Sequence, residues 1–489
     1  MAKALRRIGR RFPDYGWSWP TGGLDQLLKA ALLPDDEAAA RHAARWLDEN
    51  EIDAVSFREH RLLAAISDRS GRKLAGHPAH PRLVGLQKML WTKSRLAMRE
   101  AEPALQAMVG AGCAVMLIKG ASRIAVNASA QRGRVAHDID ILVRPQDMLA
   151  AFDVLTQRDW QIATGVSPQF LRTRLASLRS MNFFKGNFGD IDLHQQAYDG
   201  SQQSAEDDLA IWQRARFAEF NGVRLLVPSP ADRMTLAIAH GGLDAHTHSD
   251  WLVDCTVAIQ GGEVDWEVFA DIVARRHLAV AAAVALSYLS LEIGIAVPPG
   301  ELARTVASAD RAGLSRWSSV LQAKPRTDFG GLVWLSRGFA KQLRLKRKKG
   351  RLQQPAATVW RGKPVLRRAK PAPAAFALSQ ALPSPNMAGE MMLDVTVRIV
   401  VPPVRRRIEM EINAGGLHVA RLRSLVISRA GGEKVLHFRG RVSHGEAGRA
   451  LMLEARPSRQ FRSWDNEAEI AAYGALPFQL LSARFSPTR

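Results

Sequence analysis

Two carboxylates separated by one residue, Asp138 and Asp140, sit in the run RVAHDIDILV. About fifty residues later a second Asp-Ile-Asp, Asp190 to Asp192, lies in FGDIDLHQQ. In a strand, residues i and i+2 share a face, so Asp138 and Asp140 point one way and Ile139 the other. Pairing of the two strands would let Asp192 join them. Three converging carboxylates with no Lys or Arg between them would repel strongly, and a divalent cation would relieve the repulsion. Hard oxygen ligands of this kind suit Mg2+ or Mn2+. The bland alternative is a set of exposed strand-end acids. Asp190 reads either as a turn residue or as an acid beside the metal.

The elements that must position these residues follow from the same stretch. Ala114 to Ile118 is a short apolar strand, and Lys119-Gly120-Ala121-Ser122 is a turn. Ser122 to Ala130 reads as the following helix, and Arg134 to Val143 as the acid-bearing strand. Phe183 to Gln195 reads as a hairpin around Lys185-Gly186-Asn187, and Arg224 to Val227 as a further strand. Helical periodicity precedes this core from Leu24 to about Gly112 and resumes from Ala231 to about Leu345. Among the later histidines and acids, His240, Asp244, His246, His248 and Asp254 follow no familiar zinc spacing and have no cysteine partner.

The Lys-Gly-x-Ser turn after an apolar strand, the Arg four residues before Asp-x-Asp, the Leu-Val after it and the later Asp-Leu-His together resemble an uncharacterised nucleotidyltransferase family of the polymerase-beta-like superfamily. The resemblance covers roughly residues 24–298. It implies an α+β fold, with a mixed-sheet nucleotidyltransferase core flanked by helical regions. It implies Mg2+-dependent transfer of NMP from an NTP to a hydroxyl by a two-metal, in-line mechanism. Asp138, Asp140 and Asp192 would hold the metal and act in catalysis. Lys119, Gly120, Ser122 and Arg134 would bind the nucleotide: backbone N–H groups at the helix start, with a small hydroxyl, cradle phosphates, and the two cations neutralise them. His194 follows the third Asp and would orient a carboxylate, contact the acceptor or simply pack. His240 and Asp254 match the helical half and would line the pocket or form a polar pair. The acceptor stays open among small molecule, glycan, protein and RNA.

The expected organisation is an N-terminal helical region over 1–112, the core over 113–230, a second helical region over 231–345, a basic Pro/Ala-rich linker over 346–389 and a β-rich module over 390–489. The module reads as a small sandwich or open barrel, beyond the reach of the resemblance. Charge is uneven. Residues 331–489 hold 29 of the 68 Lys and Arg but only 10 of the 47 Asp and Glu, a net of +19 out of the chain's +21. A polyanion contact through 341–372 is the expectation this raises, and a non-catalytic nucleotide- or polyanion-binding scaffold is the rival to an enzyme. No apolar run is long enough to span a bilayer, and no signal sequence follows the basic N-terminus. Cys113 and Cys255 both lie in apolar stretches and read as free thiols, so the expected compartment is the cytoplasm. No Walker loop, dinucleotide fingerprint or Ser-x-x-Lys pattern is present.

Overall fold

The computed structural model describes residues 15–162, 168–172, 175–198, 205–243, 250–325, 335–336, 339, 361–362, 376–383, 389–401, 406–414, 417–426, 432–444, 450–458 and 476–487. The expected linker and its basic run lie almost wholly outside them, as do Asp244, His246 and His248. The chain divides into two compact units, 1–144 with 192–352, and 145–191 with 353–489. Seven strands belong to the first half of the chain: β1 (Val115–Leu117), β2 (Ile139–Val143), β3 (Gln161–Ile162), β4 (Ser180–Lys185), β5 (Gly189–His194), β6 (Arg216–Phe220) and β7 (Val223–Val227). The division between units falls within β5.

In the first unit the strands lie in the order β5-β2-β1-β7-β6. β1 is antiparallel to β2, with Leu117 opposite Ile141, and parallel to β7 through Met116 and Leu226. β1 and β2 are buried at every position. That explains their unbroken apolar runs and leaves Asp140 as the polar exception. Helices surround this sheet. Those used below are α1 (Phe57–Ser70), α2 (His80–Gly110), α3 (Lys119–Val126), α4 (Pro230–Gly241), α5 (Asp250–Gln260) and α6 (Ala279–Tyr288). The α6 run is apolar all round and wholly buried, as a helix through the middle of a core must be. Residues 15–18 form a 3-10 turn held to the C-terminal helices. Ser18 Oγ donates to the Val320 carbonyl at 2.8 Å and Lys324 Nζ to the Trp17 carbonyl at 2.7 Å.

Two expected boundaries change. The acid-bearing strand begins at Ile139, not Arg134. β1 is only three residues long, and its ladder ends where Ile118 N–H donates to the Asp140 carbonyl at 3.1 Å. Upstream, Ala136 N–H donates to Ser94 Oγ on α2 instead of a strand. Asp138 therefore sits at the mouth of the strand, not within it. The helix after the turn starts at Lys119 and ends at Val126. A separate 3-10 turn follows, opened by Asn127, whose side chain accepts from Ser129 N–H.

The second unit contains β3, β4 and the start of β5, in that order. The β4–β5 hairpin turns through Gly186, at a positive φ of 53° that glycine adopts without strain. Phe152 meets Phe183 edge-on at 5.9 Å. The C-terminal strands are β8 (Arg361–Gly362), β9 (Ser379–Leu382), β10 (Gly389–Val401), β11 (Arg406–Ala414), β12 (Leu417–Val426), β13 (Gly432–His444), β14 (Leu451–Ser458) and β15 (Phe478–Pro487). They form a three-stranded sheet, β13-β10-β15, and a five-stranded sheet, β8-β12-β11-β14-β9. Pairing is antiparallel except for the short β8. Leu393, Val395, Val397 and Ile399 of one sheet share a core with Met410, Ile412 and Leu453 of the other. Of the two forms expected, sandwich or open barrel, two sheets sharing one core make the sandwich. Among the described residues, no helix is long and apolar enough to cross a membrane.

Close packing of α4 on α5 supplies a test of the first unit. A Cβ on Gly241 would lie 2.1 Å from the Trp251 ring. Gly241→Ala should therefore destabilise the unit by about 1–3 kcal/mol, the usual cost of overpacking, read as an earlier urea unfolding transition.

Candidate active site

The turn after β1 is built under strain. Lys119 has a φ of 52°, a left-handed conformation that disfavours any side chain, and such outliers cluster where function requires them. Ser122 Oγ donates to the Lys119 carbonyl at 2.7 Å and so holds the bend. Gly120 is required for a further reason. A Cβ there would lie 2.8–3.2 Å from the Arg134 guanidinium, so only glycine lets that group pack against the turn.

Lys119 turns its ammonium onto the acids. Its Nζ is 2.6 Å from Asp140 Oδ1. His194 Nε2 lies 3.2 Å from the same oxygen and 2.8 Å from Asp192 Oδ2. Asp140, Asp192 and His194 each offer a ligand atom within 4.8 Å of the others. Asp138, partly exposed, opens onto the same cavity, whereas Asp190 is not among its lining residues. The expectation of acids with no Lys or Arg between them is thus corrected: a lysine is already there. Lys119 adopts a left-handed φ at the start of α3 and reaches back to Asp140 on β2, a conformation that no local spacing announces.

These contacts set the charge states. Burial disfavours ionised Asp140, but the Lys119 ammonium and His194 outweigh it and hold the carboxyl below its usual range. Burial likewise opposes ionised Asp192, and His194 and then Lys119 reverse the effect. His194 is pushed down by burial and raised overall by Asp192 and Asp140. One demand stays unmet. Asp192 Oδ1 is buried without a hydrogen-bond partner among the described residues.

A lattice of arginines and aspartates lines the same cavity. Arg134, almost fully buried, donates through Nε and a terminal nitrogen to the two oxygens of Asp254 at 3.0 and 3.1 Å. Its other terminal nitrogen lies 2.7 Å from Asp250 and donates to the Val135 carbonyl. Arg61 from α1 meets the same Asp250 oxygen, Oδ2, at 2.6 Å, and Arg123 from α3 donates to Asp254 at 2.9 Å. Arg134, expected to face phosphate, is engaged within this lattice. Arg233 on α4 also lines the cavity, and its buried Nε has no partner among the described residues. Burial lowers its pKa, the response of a cation in a dry wall. His240 is exposed at the rim and Asp254 lies within the lattice. The cavity has a volume of about 260 Å³ and is lined by five cations and five carboxylates.

Arg61, Arg123, Arg233 and Asp250 escaped the sequence reading, yet the signal was present. Arg123 stands four residues after Lys119 on one helix. Arg233, Ala237 and His240 recur at i, i+4 and i+7, as do Asp250, Asp254 and Val257, so each set shares one helix face.

The lattice predicts its own sensitivity. Arg134→Met would leave Asp250 and Asp254 short of their shared cation and should lower stability by about 3–5 kcal/mol, the cost of breaking a buried pair. Chemical denaturation of the purified variant checks this.

Residues 57–291 match the model of a family described as uncharacterised nucleotidyltransferase. The chain matches no curated protein and no solved structure. The matched span includes every residue that lines the cavity. Over residues 57–291, then, this chain is similar to the uncharacterised nucleotidyltransferase family.

Proposed function

We propose that the protein is a Mg2+- or Mn2+-dependent nucleotidyltransferase that moves NMP from an NTP to a hydroxyl of an acceptor. The observation that carries this is the polarity of one cavity. Asp138, Asp140 and Asp192 line it, with an orphaned oxygen on Asp192, and so do Lys119 and Arg233, whose buried Nε has no partner among the described residues. The donors fit the ion: carboxylate oxygens suit Mg2+ and Mn2+, and His194 adds an imidazole beside them. A bound ion would polarise the phosphoryl oxygens and lower the pKa of the attacking hydroxyl.

The chain's own residues supply the rest. Asp138, Asp140 and Asp192 would hold the ion. His194 keeps Asp192 and Asp140 in fixed orientation by touching both. Asp192, with its free oxygen, would take the proton of the acceptor hydroxyl. Arg233 and Lys119 would receive the triphosphate, and the Gly120 turn would bring backbone N–H groups close to it. Arg134 positions this apparatus from behind, through Gly120 on one side and Asp250 and Asp254 on the other. A cavity of about 260 Å³ lies just under the usual range for ligand pockets and suits a polyphosphate better than a whole nucleotide. The buried thiols of Cys113 and Cys255, neither in a disulfide, fit a cytoplasmic setting.

Incubation with labelled NTPs, Mg2+ and candidate acceptors tests the reading. Asp138→Ala with Asp140→Ala should lower transfer at least about a hundredfold. EDTA should abolish transfer and Mn2+ restore it. Transfer that survives both changes removes the mechanism. Arg233→Ala should raise KM for the NTP about tenfold with a smaller effect on kcat, as expected for a cation that binds phosphate in ground and transition states alike.

A further inference from the structure

We infer that Lys119 is a built-in counter-ion of the carboxylate site, which a divalent ion must displace from Asp140. The inference rests on the metal-dependent reading above and adds an order of events to it. The ammonium lies 2.6 Å from Asp140 Oδ1, an oxygen that also faces His194. Asp140 is one of the three residues placed to offer a ligand atom to an ion. A divalent cation on Asp140 would therefore stand against a like charge that is only partly exposed. The charge is not there by accident of a long, loose side chain. Lys119 holds a left-handed backbone conformation, and Ser122 pins its carbonyl. Asp140, Asp192 and Asp138 all favour its charged form against burial.

The arrangement has a consequence for binding. Without nucleotide, Lys119 answers the acids and a lone metal ion binds weakly. A nucleoside triphosphate gives the ammonium a new anionic partner across the cavity and frees Asp140. Metal and triphosphate thus enter together, and Lys119 passes from carboxylate to phosphate.

The test is Mn2+ binding to the full chain, followed by calorimetry and by the electron paramagnetic resonance of free Mn2+, with no nucleotide present. Lys119→Met should bind Mn2+ at least tenfold more tightly than the wild type. Lys119→Arg, which keeps a cation, should stay near the wild type. Lys119→Gly removes the ammonium and also relieves the positive φ, so it provides a folded variant should the methionine fail. Adding Asp140→Asn should abolish the gain. Equal or weaker Mn2+ binding in the methionine and glycine variants, with Asp140-dependent binding in the wild type, overturns the counter-ion role and leaves the metal-dependent reading standing. Mn2+ binding that is absent from all the proteins, or that ignores Asp140→Asn, overturns both.

Discussion

A carboxylate at the centre of a sheet cannot stay ionised alone, and Asp140, almost wholly enclosed in β2, is such a group. Its charge is maintained by Lys119 and His194, one from a turn beside it and one from the neighbouring strand. Much of the local architecture exists to deliver those two partners. The three-residue β1 ends early enough for the chain to bend at Lys119. The bend is pinned by Ser122, and Gly120 leaves room behind it for Arg134. β5 places Asp192 and His194 two residues apart, on one face of the strand.

The second half of the cavity obeys the same electrostatic logic with the signs reversed. Arg134 is buried among carboxylates, and Arg61 and Arg123 complete their coordination. Burying this many charges is tolerable only because they alternate in sign and are hydrogen-bonded. Such a lattice is rigid, and it couples α1, α3 and α5 to the turn that carries Lys119. Among the described residues on the cavity's walls, hydrogen-bonding capacity is left over at Asp192 Oδ1 and, opposite in charge, at Arg123 Nε and Arg233 Nε. Those leftovers are of opposite sign, which is what a ligand made of a cation and a polyphosphate would require.

The C-terminal strands solve a different problem. Alternating apolar and polar residues on β10 bury Leu393, Val395, Val397 and Ile399 against the second sheet and leave Asp394, Thr396 and Arg398 on the other face. Asp394 there meets His437 at 3.3 Å and Arg439 at 3.6 Å. Part of this module's large positive charge is thus answered locally.

The linear pattern alone determined an acid-bearing strand, the hairpin carrying Asp192 and an all-β C-terminal module, because period-two alternation and short apolar runs are local properties of the chain. The motif order was enough to indicate the family. The tertiary structure decided which cation answers which acid. Ion pairing across Lys119–Asp140, Arg134–Asp254 and Arg61–Asp250 joins residues 21, 120 and 189 positions apart, and no local spacing encodes those separations. It also decided where β2 begins, since a strand extends only as far as its partner does, and β1 is short. The left-handed bend at Lys119 was hidden for the same reason: a lysine adopts that conformation only when surrounding contacts outweigh its cost.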